Sequence, residues 1–123
     1  MVFHERPVLY SADLRACTEI SALDPQRVTE IFVHALESAG ATVVQALSHT
    51  FPGTGQTCVL ILAESHAILH TWPETGTVNI DIFSCSTRLK SLAAIAELGR
   101  SFGAAGVSVQ EIPRADGHGP PPG

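Results

Sequence analysis

The stretch "TCVLILAESHAILHTWPETGTVNIDIFSC", residues 57–85, decides the fold. Residues 77–85 alternate, with Val78, Ile80 and Ile82 to one side and Asn79, Asp81 and Phe83 to the other. That period of two marks a strand covered on one face. Residues 57–65 form a strongly apolar strand. Residues 66–72 continue extended, and residues 73–76, "PETG", make a turn. Within this β-rich run, Glu64, Ser65, His66, His70, Trp72 and Glu74 crowd together.

Working outward, residues 8–14 read as a first strand. Residues 21–40 read as a helix, with Asp24 as its cap and Pro25 in its first turn. Val28, Ile31, Phe32, Ala35 and Leu36 share one face, and Gly40 supplies the stop. Residues 41–49 are a strand, and residues 50–56, "TFPGTGQ", a turn or loop. Residues 88–103 are a second helix, expected to bury Leu89, Leu92, Ala93, Ala96 and Ile95. A last strand covers 105–112. Residues 113–123 are a Pro/Gly tail expected to be mobile. The order is strand, helix, three strands, helix, strand. Short connections between the middle strands predict an antiparallel sheet, with both helices on one face. The expected fold is a two-layer α+β sandwich, one domain over 1–112.

A chain of 123 residues with 45% hydrophobic and 15% charged residues suits one globular domain. The net charge of −5 and the lack of a basic patch argue against a nucleic-acid partner. No run is long enough to span a bilayer, and "MVFHERP" at residues 1–7 lacks the apolar core of a signal peptide. The expected location is cytoplasmic, with no membrane partner. Cys17, Cys58 and Cys85 are odd in number and widely spaced, so a disulfide framework or a CxxC-type zinc site is not expected.

The chemistry at 64–74 has several readings. Ser65 lacks the Gly-x-Ser-x-Gly elbow of many serine hydrolases. His66 and His70 would lie about 13 Å apart on a strand, too far to share a metal ion, so no metal is expected. "PGTGQT" opens a strand rather than a helix, which weakens a phosphate-loop reading. Taken singly, each residue suits a structural role, because polar side chains at strand ends are usually just hydrogen-bonded. Their density in one stretch is what argues for chemistry.

The run "AESHAILHTWPE" at 63–74, followed by "VNIDIFSC" at 78–85, resembles the signature of the prokaryotic S-adenosylmethionine decarboxylases. The resemblance extends over roughly residues 8 to 112 and includes "ESAGATVV" at 37–44. It implies the same two-layer sandwich and a homodimer with sites near the subunit interface. It also implies a pyruvoyl group derived from Ser65 in place of pyridoxal phosphate. The single lysine, Lys90, is predicted on a helix away from the motif. By the resemblance, the Ser65 hydroxyl attacks the Glu64 carbonyl and turns the peptide into an ester. Elimination then frees Glu64, and the dehydroalanine left at position 65 hydrolyses to the pyruvoyl group. Cleavage falls between Glu64 and Ser65.

The resemblance also assigns roles. His70 removes the α-proton in the elimination, and Cys85 reprotonates the substrate carbon after CO2 leaves. Phe51 contacts the sulfonium or adenine of a small-molecule substrate, and Glu74 binds its ribose hydroxyls. Thr57 supports processing where the family usually has serine. Other departures are "TFPGTGQT" in place of "FSPHGVS", Ser86-Thr87 after Cys85 in place of Gly-Asp, and Leu9 where a histidine is frequent. These fall where substrate contacts lie. Arginine or ornithine is therefore the alternative substrate, and an unprocessed, non-enzymatic homologue the third reading.

Overall fold

A computed structural model describes residues 6–117. Six strands and two helices follow in chain order. They are β1 (Val8–Arg15), α1 (Pro25–Ser38), β2 (Val43–Phe51), β3 (Gly55–Leu62), β4 (Ser65–Trp72), β5 (Thr77–Ser84), α2 (Ser91–Phe102) and β6 (Gly106–Pro113). A single 3-10 turn, Ile20–Ala22, precedes α1. The strands form one sheet in the order β2-β3-β4-β5-β1-β6, and every pairing is antiparallel. The expected two-layer α+β sandwich is what the chain forms.

Helix α1 begins as its sequence dictates. The Asp24 carboxylate accepts from Arg27 N–H at 2.8 Å, and Pro25 fills the first helical position. Its buried face is Val28, Phe32, Ala35 and Leu36. In the sheet, Leu14, Cys58, Leu60, Ala67, Leu69, Val78, Ile80 and Ile82 point toward the helices and join the same core. Each fully buried Leu, Ile or Phe contributes roughly 2–3 kcal/mol. Burial pushes the Cys17 thiol above its usual range, which suits an inert core cysteine.

Helix α2 buries Ile95, and Leu89 just before it, as expected, but the rest of its inward face differs. Ala94, Ile95, Leu98 and Phe102 are buried, whereas Leu92 is 51% exposed and Ala93 and Ala96 face outward. The run "SLAAIAELG" is so rich in alanine that it offers two overlapping apolar stripes. Packing selects the one carrying Gly99, which faces Leu14 and Val107.

A second difference lies at residues 63–65. The sequence reads as continuously extended there, but the chain reverses, so β3 and β4 are separate strands of a tight hairpin. Neither Gly nor Pro marks the reversal. Thr42, just before β2, fastens it instead: Ala63 N–H donates to the Thr42 carbonyl at 2.9 Å, and Thr42 N–H donates to Glu64 Oε1 at 3.0 Å.

At the C-terminal end, β6 runs through Pro113, and Arg114 N–H donates to the Pro7 carbonyl at 2.9 Å. The ordered sheet thus takes in the first residues assigned to the tail. Residues 118–123 of that tail lie outside the described residues, as do residues 1–5 of the expected signal-free N-terminus. Among the described residues, no helix is long and apolar enough to cross a membrane.

Candidate active site

Among the described residues no helix covers the second face of the sheet. Alternation along the strands aims His66, Ile68, His70 and Trp72 of β4 at that open face, with Asn79, Asp81 and Phe83 of β5. Register carries the pattern onto β2 and β3. Phe51 pairs with Gly55, His49 with Thr57, and Thr57 with His70. Large apolar side chains stay exposed here, among them Leu47 at 51%, Ile61 at 39% and Phe51 at 38%.

Four of the sequence-assigned residues gather at one end of the sheet. Thr57 Oγ1 and His70 Nδ1 are 2.7 Å apart on adjacent strands. The Phe51 ring lies 5.8 Å from the His70 ring, centroid to centroid. Glu74 sits exposed in the β4–β5 turn, just past the same end.

Further residues, given no role by the sequence, complete this cluster. The His49 ring meets Phe51 edge-on at 4.6 Å, and Trp72 lies 4.5 Å from His70. Trp72 is 42% exposed. Its Nε1–H donates to Asn79 Oδ1 at 2.6 Å, and Asn79 Nδ2–H donates to Asp13 Oδ1 at 2.8 Å. That chain crosses three strands and braces the indole against His70. The period of two in β2 and β4 is the only sequence signal that could have found these neighbours.

Ser65 and Cys85 sit at the opposite end. Ser65 opens β4 and pairs with Ser84, the residue before Cys85. Ser84 Oγ accepts from Ser86 N–H at 3.1 Å, which bends the chain away just after the cysteine. Cys85 is exposed and borders a cleft of about 320 Å³ shared with Arg6, Val8, Tyr10 and Lys90, so the lysine expected on a helix away from the motif instead precedes α2 and lines the same cleft as this cysteine. The φ of Ser65 is 159°, at the margin of extended backbone, so placement by the hairpin rather than left-handed strain defines this peptide. The Ser65 hydroxyl lies 3.3 Å from His66 Nδ1.

The two clusters are not brought together within one chain. Ser65 and His70 are five residues apart on one strand, about 17 Å at the usual rise. Among the described residues, no three His, Cys, Asp or Glu side chains gather as a metal site.

The sequence profile of the S-adenosylmethionine decarboxylase family matches residues 9–115. A Moorella thermoacetica protein named S-adenosylmethionine decarboxylase proenzyme is 36% identical over 103 residues, 84% of this chain and 82% of its own. A Methanococcus maripaludis protein of the same name is 35% identical over 97 residues, 78% of this chain and 80% of its own. The crystal structure of the adenosylmethionine decarboxylase from Aquifex aeolicus superposes with a TM-score of 0.78, at 23% identity. It covers 97% of this chain and 100% of that one, a likeness of fold. These matches place the chain among the carboxy-lyases. More closely, it belongs to the S-adenosylmethionine decarboxylase family.

Proposed function

We propose that this chain is a self-processing, pyruvoyl-dependent decarboxylase of S-adenosylmethionine, which acts as a homodimer and supplies decarboxylated S-adenosylmethionine for polyamine synthesis. The observation that carries the reading is the division of the candidate site. Ser65 and Cys85 lie at one end of the sheet, and Phe51, Thr57 and His70 at the other. A two-fold pairing of open faces, with the two β4 strands antiparallel, sets the head of one β4 against the tail of the other. Each active site then takes Ser65 and Cys85 from one protomer and Phe51, Thr57, His70 and Glu74 from its partner. The exposed Leu47, Phe51, Ile61 and Trp72 supply apolar surface for that pairing.

Ser65 fits the source of the prosthetic group. It heads a strand, so scission before it makes residue 65 a chain end without opening the sheet. The pyruvoyl carbonyl supplies an electron sink conjugated to the substrate's α-carbon. The chain's own residues do the rest. His70, oriented by Thr57, removes the α-proton of residue 65 during processing. Cys85, exposed beside Ser65, returns a proton to the substrate carbon after CO2 departs. Phe51 offers its ring face to a sulfonium or adenine, and Glu74 its carboxylate to ribose hydroxyls.

The relatives favour neither arginine nor ornithine as substrate, and their naming as proenzymes speaks against an unprocessed homologue. Three free thiols among the described residues suit a reducing cytoplasm. The test is intact mass together with labelled CO2 release. Purified protein should consist of fragments 1–64 and 65–123, Ser65→Ala should stay whole, and CO2 should come from carboxyl-labelled S-adenosylmethionine. A wild-type chain that stays whole, or release from arginine alone, refutes the reading.

A further inference from the structure

We infer that His66 is the base that starts self-cleavage, taking the proton of the Ser65 hydroxyl. The inference rests on the self-processing reading and gives its first step a residue. His70 is assigned a later proton, on carbon. An unassisted serine hydroxyl is a poor nucleophile toward an amide, so the attacking oxygen needs a base within hydrogen-bond reach.

His66 meets that need. Its Nδ1 lies 3.3 Å from Ser65 Oγ. Within the same chain, His70 is about 17 Å further along β4. The His66 ring is also held in place. It stacks on Phe83 with centroids 5.2 Å apart and planes 25° from parallel, across the β4–β5 pairing that sets the two residues opposite. Arg114 caps the same aromatic, its guanidinium carbon 5.9 Å from the Phe83 centroid. Leu9, Ile68 and Asp81 complete a hollow of about 290 Å³ around the pair. Leu9 and Ile68 give it apolar walls.

The step balances without a co-reactant. Neutral His66, carrying its hydrogen on Nε2, accepts the Oγ proton at Nδ1. Oγ bonds to the Glu64 carbonyl carbon, forming a tetrahedral centre. The Glu64–Ser65 C–N bond then breaks, and the departing amine takes the proton back from the imidazolium. An ester replaces the amide, and His66 returns to its starting state. Meanwhile Thr42 N–H donates to the Glu64 carboxylate at 3.0 Å.

His66→Phe keeps a ring on Phe83 and removes the base; His66→Ala leaves a gap that free imidazole can enter. Scission of both variants, of wild type and of His70→Ala is followed by intact mass, with and without hydroxylamine, which splits esters but spares amides. Expected is scission slowed roughly 10²-fold or more in His66→Phe. The retained chain should be insensitive to hydroxylamine, whereas His70→Ala should accumulate a sensitive one. Imidazole should speed scission of His66→Ala. Wild-type scission rates in His66→Phe overturn the inference alone. So does a hydroxylamine-sensitive chain in either His66 variant. If His66→Phe fails to match the wild-type circular dichroism, imidazole decides: rescue of His66→Ala sustains the inference, and no rescue overturns it. A wild-type chain that never splits overturns both this inference and the self-processing reading.

Discussion

Thr57 Oγ1 and His70 Nδ1 are 2.7 Å apart because antiparallel pairing of β3 with β4 sets those two residues directly opposite each other. A histidine anchored through Nδ1 has its other nitrogen free to work on a second molecule. Thr57→Val removes the anchor while keeping the shape. Loss of one such hydrogen bond costs about 1 kcal/mol, so elimination should slow about fivefold. The ester should build up transiently, seen as a hydroxylamine-sensitive chain during processing. Thr57→Ser should process at or above the wild-type rate. Equal ester levels in Thr57→Val and wild type would count against the anchoring role.

Two inactive proteins should repair each other. In a homodimer with divided sites, a Ser65→Ala protomer still lends His70, and a His70→Ala protomer still lends Ser65. Coexpressed in equal amounts, they should pair at random, and about a quarter of all sites should be intact. Labelled CO2 release should therefore reach about a quarter of the wild-type rate, against near zero for either variant alone. No recovery in verified mixed dimers would mean that each protomer builds its own site.

Cys85 should separate processing from turnover. Cys85→Ala should split as readily as wild type, yet decarboxylate roughly 10²- to 10⁴-fold more slowly. In the native protein, iodoacetamide should label exposed Cys85 well before buried Cys17 and Cys58, read by peptide mass spectrometry. Full turnover in completely processed Cys85→Ala would remove the cysteine from the reaction.

Glu74 and Phe51 should act on binding. Glu74→Gln should raise KM for S-adenosylmethionine about tenfold with little change in kcat, the value of one charged hydrogen bond. Phe51→Ala should do likewise and also slow processing, because its ring lies against His70. A Glu74→Gln enzyme with unchanged KM would place the ribose elsewhere.

Gly55 tests the loop that carries Phe51. Its φ is +147°, and an added Cβ would run into the Thr71 carbonyl oxygen. Gly55→Ala should destabilise the protein by about 1–3 kcal/mol and shift the β2–β3 turn, lowering Tm and substrate affinity together. An unchanged Tm would show that the turn yields freely.

The sandwich was legible in the sequence because period and punctuation agreed along most of the chain. Strand β5 alternates without a break, and Asp24-Pro25 marks the start of α1 by local chemistry alone. The hairpin at 63–65 was not legible, since its fastening comes from Thr42, some twenty residues upstream. The inward face of α2 was hidden by alanines, which fit either side equally well. In the candidate site, the motif named Ser65, His70 and Cys85, but it could not give their separation. That separation depends on strand register, as do the contacts of His70 with Trp72 and of His66 with Phe83.

The strand order has one more consequence. Fragment 1–64 carries β1, β2 and β3, and fragment 65–123 carries β4, β5 and β6, yet β1 is inserted between β5 and β6. The two polypeptides that the proposed scission would leave are therefore interlaced. They share three ladders, β3–β4, β5–β1 and β1–β6, and cannot part by simple dissociation. Heating must melt the whole sheet before either piece escapes, and once apart they have to find each other again. Scission there would turn a folding reaction independent of concentration into a second-order reassembly. The native state of such a cleaved enzyme would then be kept by the slowness of its unfolding, a trap entered once, while the chain still folds as one piece.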